Sequence, residues 1–320
     1  NKKLFTKKYN RLFHHKITLI SEVSIKEIQI PVKYGHIAGK LWGDSDKQPI
    51  LALHGWQDNA GTWDPLIPMI IKDRPILALD FPGHGFSSWT PGMTYNEWDW
   101  PRMILYIKDH FKWDKVSLLA HSMGAIAGMR FACVFPDDVD FLIAIDSFIL
   151  ENPDSNKLVN KIFPKLLQKD FVSTAWSEKE RPTYTLEEIT KTWHLATSKS
   201  IALESVQHLL KRGAKQSKTD PNKYYYSRDS RLKYVILISE DERFVEALVR
   251  RLKCPMLFLK ATDSPFSASK FSIAMREIIQ DQNDKYEFYF VPGKHHVHLN
   301  NPETVAPLIK NFIENNKLSF

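Results

Sequence analysis

The most reactive arrangement in the sequence surrounds Ser122, which lies in the pentapeptide Ala-His-Ser-Met-Gly. The apolar run Val116–Ala120 precedes this serine, and a helix-forming stretch, Met123–Phe135, follows it. A serine in a sharp turn between strand and helix is exposed at the strand end, where the helix N-terminus favours developing negative charge. Small residues two positions before and after the serine let strand and helix approach closely, and Ala120 and Gly124 are small. The pattern predicts that Ser122 is a catalytic nucleophile.

A nucleophilic serine needs a general base, and histidines follow the last predicted strand. His295 comes first after a glycine turn beyond Tyr286–Val291, at the strand end from which it would reach Ser122, so we predict that it is the base. His296 and His298 are expected to start the descent to the final helix. A metal site among these histidines is not expected, because their spacing does not place two ligands on one helix face and no carboxylate is close in sequence.

The acid that would orient the base has two candidates. Asp263 follows the predicted strand Pro255–Lys260, which is the usual place beyond the penultimate strand. Asp146 ends the predicted strand Phe141–Asp146, one strand past the nucleophile. Either side chain could reach His295 from the same sheet edge, so the residues alone leave both open.

Two backbone N–H groups are needed to bind the oxyanion of a tetrahedral intermediate. Met123 follows the nucleophile and is predicted to supply one. Trp56, in the turn after an earlier strand, is predicted to supply the other. His54 precedes that turn and is expected to support the loop. The Gly/Pro-rich segment Asp80–Ser87, which contains His84, is also expected to be structural.

Short β-rich runs alternate with amphipathic helical stretches, which predicts an α/β protein with a mostly parallel sheet covered on both faces. An opening hairpin is predicted over Ile25–Val32 and Ile37–Trp42. The buried strands are predicted at Pro49–Leu53, Pro75–Asp80, Val116–Ala120, Phe141–Asp146, Pro255–Lys260 and Tyr286–Val291. Helices are predicted at about Thr62–Ile71, Tyr95–Phe111, Met123–Phe135, Glu242–Leu252, Ala268–Ile279 and Pro302–Asn315.

This alternation stops between residues 147 and 240, which have helical periodicity, scattered aromatic residues such as Phe163 and Trp176, and no convincing parallel strand. We therefore predict a core made of residues 24–146 and 241–320, with residues 147–240 inserted as a helical cap. Residues 1–23 form a basic N-terminal tail.

The 320 residues are 43% hydrophobic and 25% charged, as in an ordinary globular protein. Six positive charges precede the first acid, Glu22, and account for most of the net charge of +7, so the rest of the chain is near neutral and nucleic-acid binding is not expected. The tail is typical both of a mitochondrial presequence and of a solvated N-terminus, which predicts a cytoplasmic or mitochondrial location. The C-terminal Lys-Leu-Ser-Phe is not the peroxisomal Ser-Lys-Leu.

Apolar runs fall short of the roughly 18 residues that span a bilayer, and the two cysteines do not suggest a disulfide framework.

Two segments carry a resemblance to a known family. The runs His54-Gly55-Trp56-Gln57-Asp58-Asn59-Ala60 and Val291-Pro292-Gly293-Lys294-His295-His296-Val297-His298 resemble the serine hydrolase-like (kraken-type) proteins of animals, within the α/β-hydrolase superfamily. The resemblance extends from about Ile25 to the C-terminus and is weakest in the insertion. It implies an α/β-hydrolase fold, with a mostly parallel central sheet, and hydrolase activity. Members of this family keep an acid where Asp146 stands, which favours Asp146 over Asp263.

These residues together predict a serine hydrolase that cleaves a small or medium carboxylic ester, or a related acyl compound, through an acyl-enzyme. The alternatives are a thioesterase or carbon–carbon bond hydrolase on the same triad, or a non-catalytic small-molecule binding protein. The chemistry needs no metal or organic cofactor. The expected partner is a small acyl substrate, without nucleic acid or stable membrane insertion.

Overall fold

A computed structural model describes residues 23–44, 46–92, 95–150, 160, 181–234 and 240–316. The predicted basic tail before Val23 lies outside the described residues, and so do Phe163 and Trp176 of the insertion. Among the described residues, no helix combines the length and the apolar character that a membrane crossing requires.

The described residues form a central sheet of eight strands, in the order β1-β2-β4-β3-β5-β6-β9-β10. The pairs β1–β2 and β2–β4 are antiparallel, and every other pair is parallel, which confirms the predicted mostly parallel sheet. The strands are β1 Ile25–Val32, β2 Gly35–Trp42, β3 Ile50–Leu53, β4 Ile76–Leu79, β5 Val116–His121, β6 Val139–Ile145, β9 Met256–Ala261 and β10 Tyr286–Val291.

The central strands are apolar throughout because helices cover both faces of the sheet. Every residue of β3, β4, β5 and β9 is buried. Two separate clusters of buried apolar side chains pack on the sheet. The parallel strands therefore end at one shared edge, where the residues that follow β3, β5, β6 and β10 can meet.

The helices of the core connect its strands or follow the last of them. They are α1 Ile67–Ile70, α2 Asp99–Phe111, α3 Met123–Val134, α6 Glu242–Val249, α7 Lys270–Gln282, α8 Val297–Asn300 and α9 Pro302–Asn315.

The helix predicted over Thr62–Ile71 is wrong as a single element. A 3-10 turn, Ala60–Trp63, and the short α1 replace it. Pro65 lies between them and lacks the backbone N–H that a continuous helix would need at this position. The next helix starts at Asp99 and not at Tyr95, so that Pro101 falls in its first turn, where proline is tolerated.

The segment between β6 and β9 contains α4 Leu186–Ala196, α5 Val206–Gly213 and an antiparallel pair of short strands, β7 Ala214–Gln216 and β8 Tyr224–Tyr226. The short strand pair was not predicted. Buried apolar residues of α4 and α5 form a third cluster, which also includes Leu299 of α8. This segment thus packs next to the loop that follows β10. That it acts as a cap remains a prediction.

Candidate active site

Ser122 occupies the turn between β5 and α3 with φ 52° and ψ −119°. A positive φ is rare for residues other than glycine, and such strain persists only where the surroundings fix it. Gly124 shows how tight this turn is, because a Cβ there would lie 2.4 Å from the carbonyl oxygen of Leu53. Strand and helix therefore hold the half-buried Ser122 side chain at the carboxyl end of β5.

Three side chains from three different strand ends form a continuous hydrogen-bonded chain. Ser122 Oγ lies 2.8 Å from His295 Nε2. His295 Nδ1 lies 2.6 Å from Asp146 Oδ2 on its other side. The carboxylate is buried and the imidazole is 7% exposed. A carbonyl or carboxylate accepts only, so Nδ1 donates to Asp146 and Nε2 is left to accept the serine proton.

Asp263 does not take part in this arrangement. Its side chain is exposed, and its Oδ1 accepts a hydrogen bond from Thr262 Oγ1 at 3.1 Å. Asp146 instead follows β6 directly, and its Oδ1 accepts from the backbone N–H of Ala261 at 2.9 Å. This bond to β9 fixes the carboxylate between the two strands, beside His295.

Burial lowers the pKa of His295, and the hydrogen bond to Asp146 opposes this shift. Other groups act on the same imidazole, with His296 lowering its pKa and the Asp58 carboxylate raising it. The ring of His121 also packs 4.6 Å from that of His295. Because the pKa lies below the ordinary value for histidine, the ring is neutral at pH 7 and can accept a proton.

A buried cation stands behind the carboxylate. Lys260 Nζ lies 3.1 Å from Asp146 Oδ1 and also donates to the backbone oxygens of Ala261 and Ser264. Lysine is almost never buried without a partner, and this one is 4% exposed. In the sequence, Lys260 ends an otherwise apolar strand. A charged residue at such a position is the one signal in the sequence that it pairs with a buried acid.

The predicted oxyanion donors lie on adjoining segments. Met123 is the first residue of α3, so its N–H precedes the hydrogen-bonded turns of that helix. Trp56 lies in the turn after β3, and its indole donates to the Leu232 oxygen at 3.1 Å. The contact of Gly124 with Leu53 brings these two segments together. Their role in binding an oxyanion remains a prediction.

Two other histidines support loops, as predicted. His54 donates from Nδ1 to the Gly55 oxygen at 2.7 Å and accepts from the Phe81 N–H at 2.9 Å. His84 donates to the Pro82 oxygen and accepts from the Gln57 N–H. Both nitrogens of each ring are thus used within the loops, and neither histidine contacts Ser122.

The histidines after β10 have a neighbour that is distant from them in sequence. His296 Nε2 lies 3.3 Å from Asp58 Oδ2, and His121 Nδ1 lies 3.8 Å from the same oxygen. The fold thus supplies the carboxylate that was not close in sequence. These three residues form the one group of potential metal ligands among the described residues. His298 instead bonds Thr62 Oγ1 through Nε2 at 2.9 Å.

The inserted segment is tied to the loops of the site. Arg212 of α5 binds the buried Asp80 carboxylate through Nε and Nη2, at 3.0 and 2.7 Å from Oδ2. The same carboxylate accepts from the N–H groups of Ala60 and Phe86. The Asp80–Ser87 segment is thus structural, as predicted.

Comparison with known proteins shows the family of this chain. The family model described as "alpha/beta hydrolase fold" matches residues 48–302. A Drosophila melanogaster protein named "Probable serine hydrolase" is 33% identical over 303 residues, which are 93% of this chain and 90% of that protein. Serine hydrolase-like protein 2 of Homo sapiens is 30% identical over 91% of this chain and 94% of its own length. The crystal structure of a hypothetical protein from Pseudomonas aeruginosa PAO1 matches with a TM-score of 0.74 at 26% identity, covering 90% of this chain and 98% of that one.

Proposed function

Because the chain belongs to the α/β-hydrolase family, and within it to the serine hydrolase-like proteins, we propose that it hydrolyses small or medium carboxylic esters through a Ser122–His295–Asp146 triad. One observation carries the proposal. The strained Ser122 points its Oγ to within 2.8 Å of His295 Nε2, while Asp146 holds the opposite ring nitrogen at 2.6 Å.

The reaction begins when His295 Nε2 accepts the proton of Ser122 and Oγ attacks the ester carbonyl carbon. The carbonyl oxygen becomes an oxyanion, which the N–H groups of Met123 and Trp56 stabilise. The imidazolium then protonates the leaving alkoxide, so that an alcohol departs and an acyl-serine remains. Asp146 stabilises the imidazolium throughout and keeps its own negative charge.

The second half of the reaction releases the acid. His295 takes a proton from water, the resulting hydroxide attacks the acyl carbon, and Ser122 leaves with a proton from the imidazolium. The buried Asp146–His295 pair is suited to both steps, because the ring returns to its neutral form after each one. Phe266 packs its ring 4.3 Å from that of His295 and supplies an apolar surface beside the reacting atoms.

Labelling with a fluorophosphonate probe tests the proposal, since the probe phosphonylates only an activated serine. The wild-type protein should label, and Ser122→Ala should not. Ser117→Ala is the matched control, because Ser117 lies in the same strand and bonds Asp140 at 2.8 Å, away from the triad. This control should label like the wild type.

Turnover of p-nitrophenyl esters of increasing acyl length, alongside an acyl thioester, tests the substrate class. Short and medium esters should be hydrolysed, and Ser122→Ala should lose about 10⁴-fold or more in kcat. Failure of the folded wild-type protein to label would favour a binding protein on this fold. Labelling with turnover of the thioester alone would favour a thioesterase.

A further inference from the structure

A group of three buried side chains lies directly against the triad without belonging to it. His121 precedes the candidate nucleophile in the chain, His296 follows the candidate base, and Asp58 comes from the loop after β3. One nitrogen of each histidine and one carboxylate oxygen lie within 4.8 Å of one another. We propose that these three atoms form a binding site for a divalent transition-metal cation of the zinc class.

The orientation of His121 places an unprotonated ring nitrogen opposite Asp58. Its Nε2 lies 2.9 Å from the His295 carbonyl oxygen, which can only accept, so the ring proton is on Nε2. His121 Nδ1 is therefore unprotonated, and its lone pair faces Asp58 Oδ2, which lies 3.8 Å away. Neither atom has a hydrogen-bond partner among the described residues. Two buried lone pairs that face each other are costly, and a cation between them would satisfy both.

His296 is held in the matching orientation. Its Nδ1 lies 2.6 Å from Ser200 Oγ, and a proton donated there leaves the Nε2 lone pair free to bind a metal. Nε2 lies 3.3 Å from Asp58 Oδ2. In known metal sites, a ligand histidine donates its other N–H to an outer oxygen, which fixes the ring. The bond of His121 to the His295 oxygen has this form, and the bond of His296 to Ser200 has it when the imidazole is the donor.

Gly55 keeps the space between two of the ligand atoms open. A Cβ at this position would lie 3.0 Å from Asp58 Oδ2 and 3.0 Å from His121 Nδ1. Any side chain here would therefore press on both atoms. The glycine thus leaves a small cradle where a cation can approach them.

The donor set selects the kind of cation. Two imidazole nitrogens and one carboxylate oxygen suit zinc and neighbouring transition metals, whereas magnesium and calcium prefer oxygen ligands alone. Bonds of about 2.0–2.1 Å in a tetrahedral centre separate neighbouring ligand atoms by roughly 3.3 Å. The observed separations from Asp58 Oδ2 are 3.3 and 3.8 Å, and all three ligand atoms lie within 4.8 Å of one another, so a cation would draw the histidine nitrogens closer together.

An ion pair between a protonated His296 and Asp58 is the competing arrangement. That pair satisfies the carboxylate, but it leaves His121 Nδ1 buried without a partner. A cation satisfies all three atoms at once. It would also join the segment before Ser122 to the segment after His295, and so stabilise the fold.

Titration calorimetry of the chelator-treated protein with ZnCl₂ tests the site without any need for turnover. We expect a stoichiometry of about one and a raised melting temperature with zinc. Asp58→Asn and His296→Gln should each weaken binding by about 100-fold or more, and Ser200→Ala by about tenfold, because it removes only an outer partner. His110→Gln, at an exposed helical histidine, and Ser122→Ala should bind zinc like the wild type.

Circular dichroism must show that each variant is folded. Visible absorption of the wild-type protein with Co²⁺ gives a measurement that needs no variant, because a low-symmetry site of nitrogen and oxygen ligands produces intense ligand-field bands. Absence of zinc binding in the wild type, or undiminished binding in folded Asp58→Asn and His296→Gln, would overturn the site. Loss of fluorophosphonate labelling would contradict the proposed function and leave the zinc result unaffected.

Discussion

Lys260 Nζ lies 3.1 Å from Asp146 Oδ1, and both side chains are buried. The carboxylate that holds the candidate base thus has His295 on one oxygen and an ammonium group on the other. The positive charge of Lys260 partly offsets the negative charge of Asp146. Without this offset, Asp146 would stabilise a protonated His295 more strongly. We therefore expect Lys260 to weaken the hold of His295 on a proton, in addition to fixing the position of Asp146.

Lys260→Met tests this adjustment. Without the cation, Asp146 favours protonated His295 more strongly, so the pKa of His295 rises. Activity needs the neutral ring, so the acid limb of kcat/KM should move to higher pH, by about one pH unit. The measurement is a pH profile of ester hydrolysis with a chelator present. Lys253→Met, at an exposed ion pair with Asp137, should leave the profile unchanged. A profile that stays in place in folded Lys260→Met would show that the lysine is structural only.

Asp146→Asn should lose far more activity than Asp263→Asn. The amide can donate to His295 Nδ1 and so stabilise the wrong tautomer, which we expect to lower kcat by about 10⁴-fold. Asp263 is exposed and bonds Thr262, so its amide variant should keep nearly full activity. Rates with p-nitrophenyl acetate compare the two. Similar losses in both variants would contradict the assignment of Asp146.

Gly124→Ala should destabilise the turn that carries Ser122, because its Cβ would lie 2.4 Å from the backbone oxygen of Leu53, which cannot move aside easily. We expect a loss of about 2 kcal/mol or more in the free energy of unfolding, together with loss of probe labelling. Gly128→Ala is the matched control in the same helix. Its Cβ would meet Leu142 Cδ1 at 3.1 Å, which a side chain can relieve, and alanine is the better helix former. Equal denaturation midpoints for the two variants would disprove the steric argument.

Arg212→Met should destabilise the protein, because it leaves the fully buried Asp80 carboxylate without its charged partner. Removal of one member of a buried ion pair costs about 3 kcal/mol or more. Urea denaturation measures the change. Arg243→Met, at an exposed pair with Asp241, should show no measurable change. If the two variants unfold at the same urea concentration, the contact between α5 and the Asp80 loop is not a stabilising one.

The sequence predicted the parts of this molecule that depend on local pattern. The apolar strands, the serine turn after β5 and the first histidine after β10 follow from periodicity, small residues and position along the chain. The strands Ile25–Val32 and Tyr286–Val291 have the predicted bounds. The prediction of one helix over Thr62–Ile71 is wrong, because the helical periodicity continues across Pro65 although the helix does not.

The parts that depend on distant residues could not be predicted in the same way. Asp146 and Asp263 both follow strands that end at one sheet edge, and only the fold shows that Asp146 bonds both His295 and β9. Asp58 meets His121 and His296 from a loop far away in sequence, so no spacing rule could join them. Lys260 was visible only as a charge in an apolar strand.

The base of the proposed triad follows β10, which among the described strands pairs with β9 alone at the edge of the sheet. The nucleophile and the acid come from strands in the interior of the sheet. During synthesis from the N-terminus, a chain that has formed β5 and β6 therefore carries a serine without the histidine that would activate it. The proposed hydrolytic activity therefore requires that the last strand has joined the sheet.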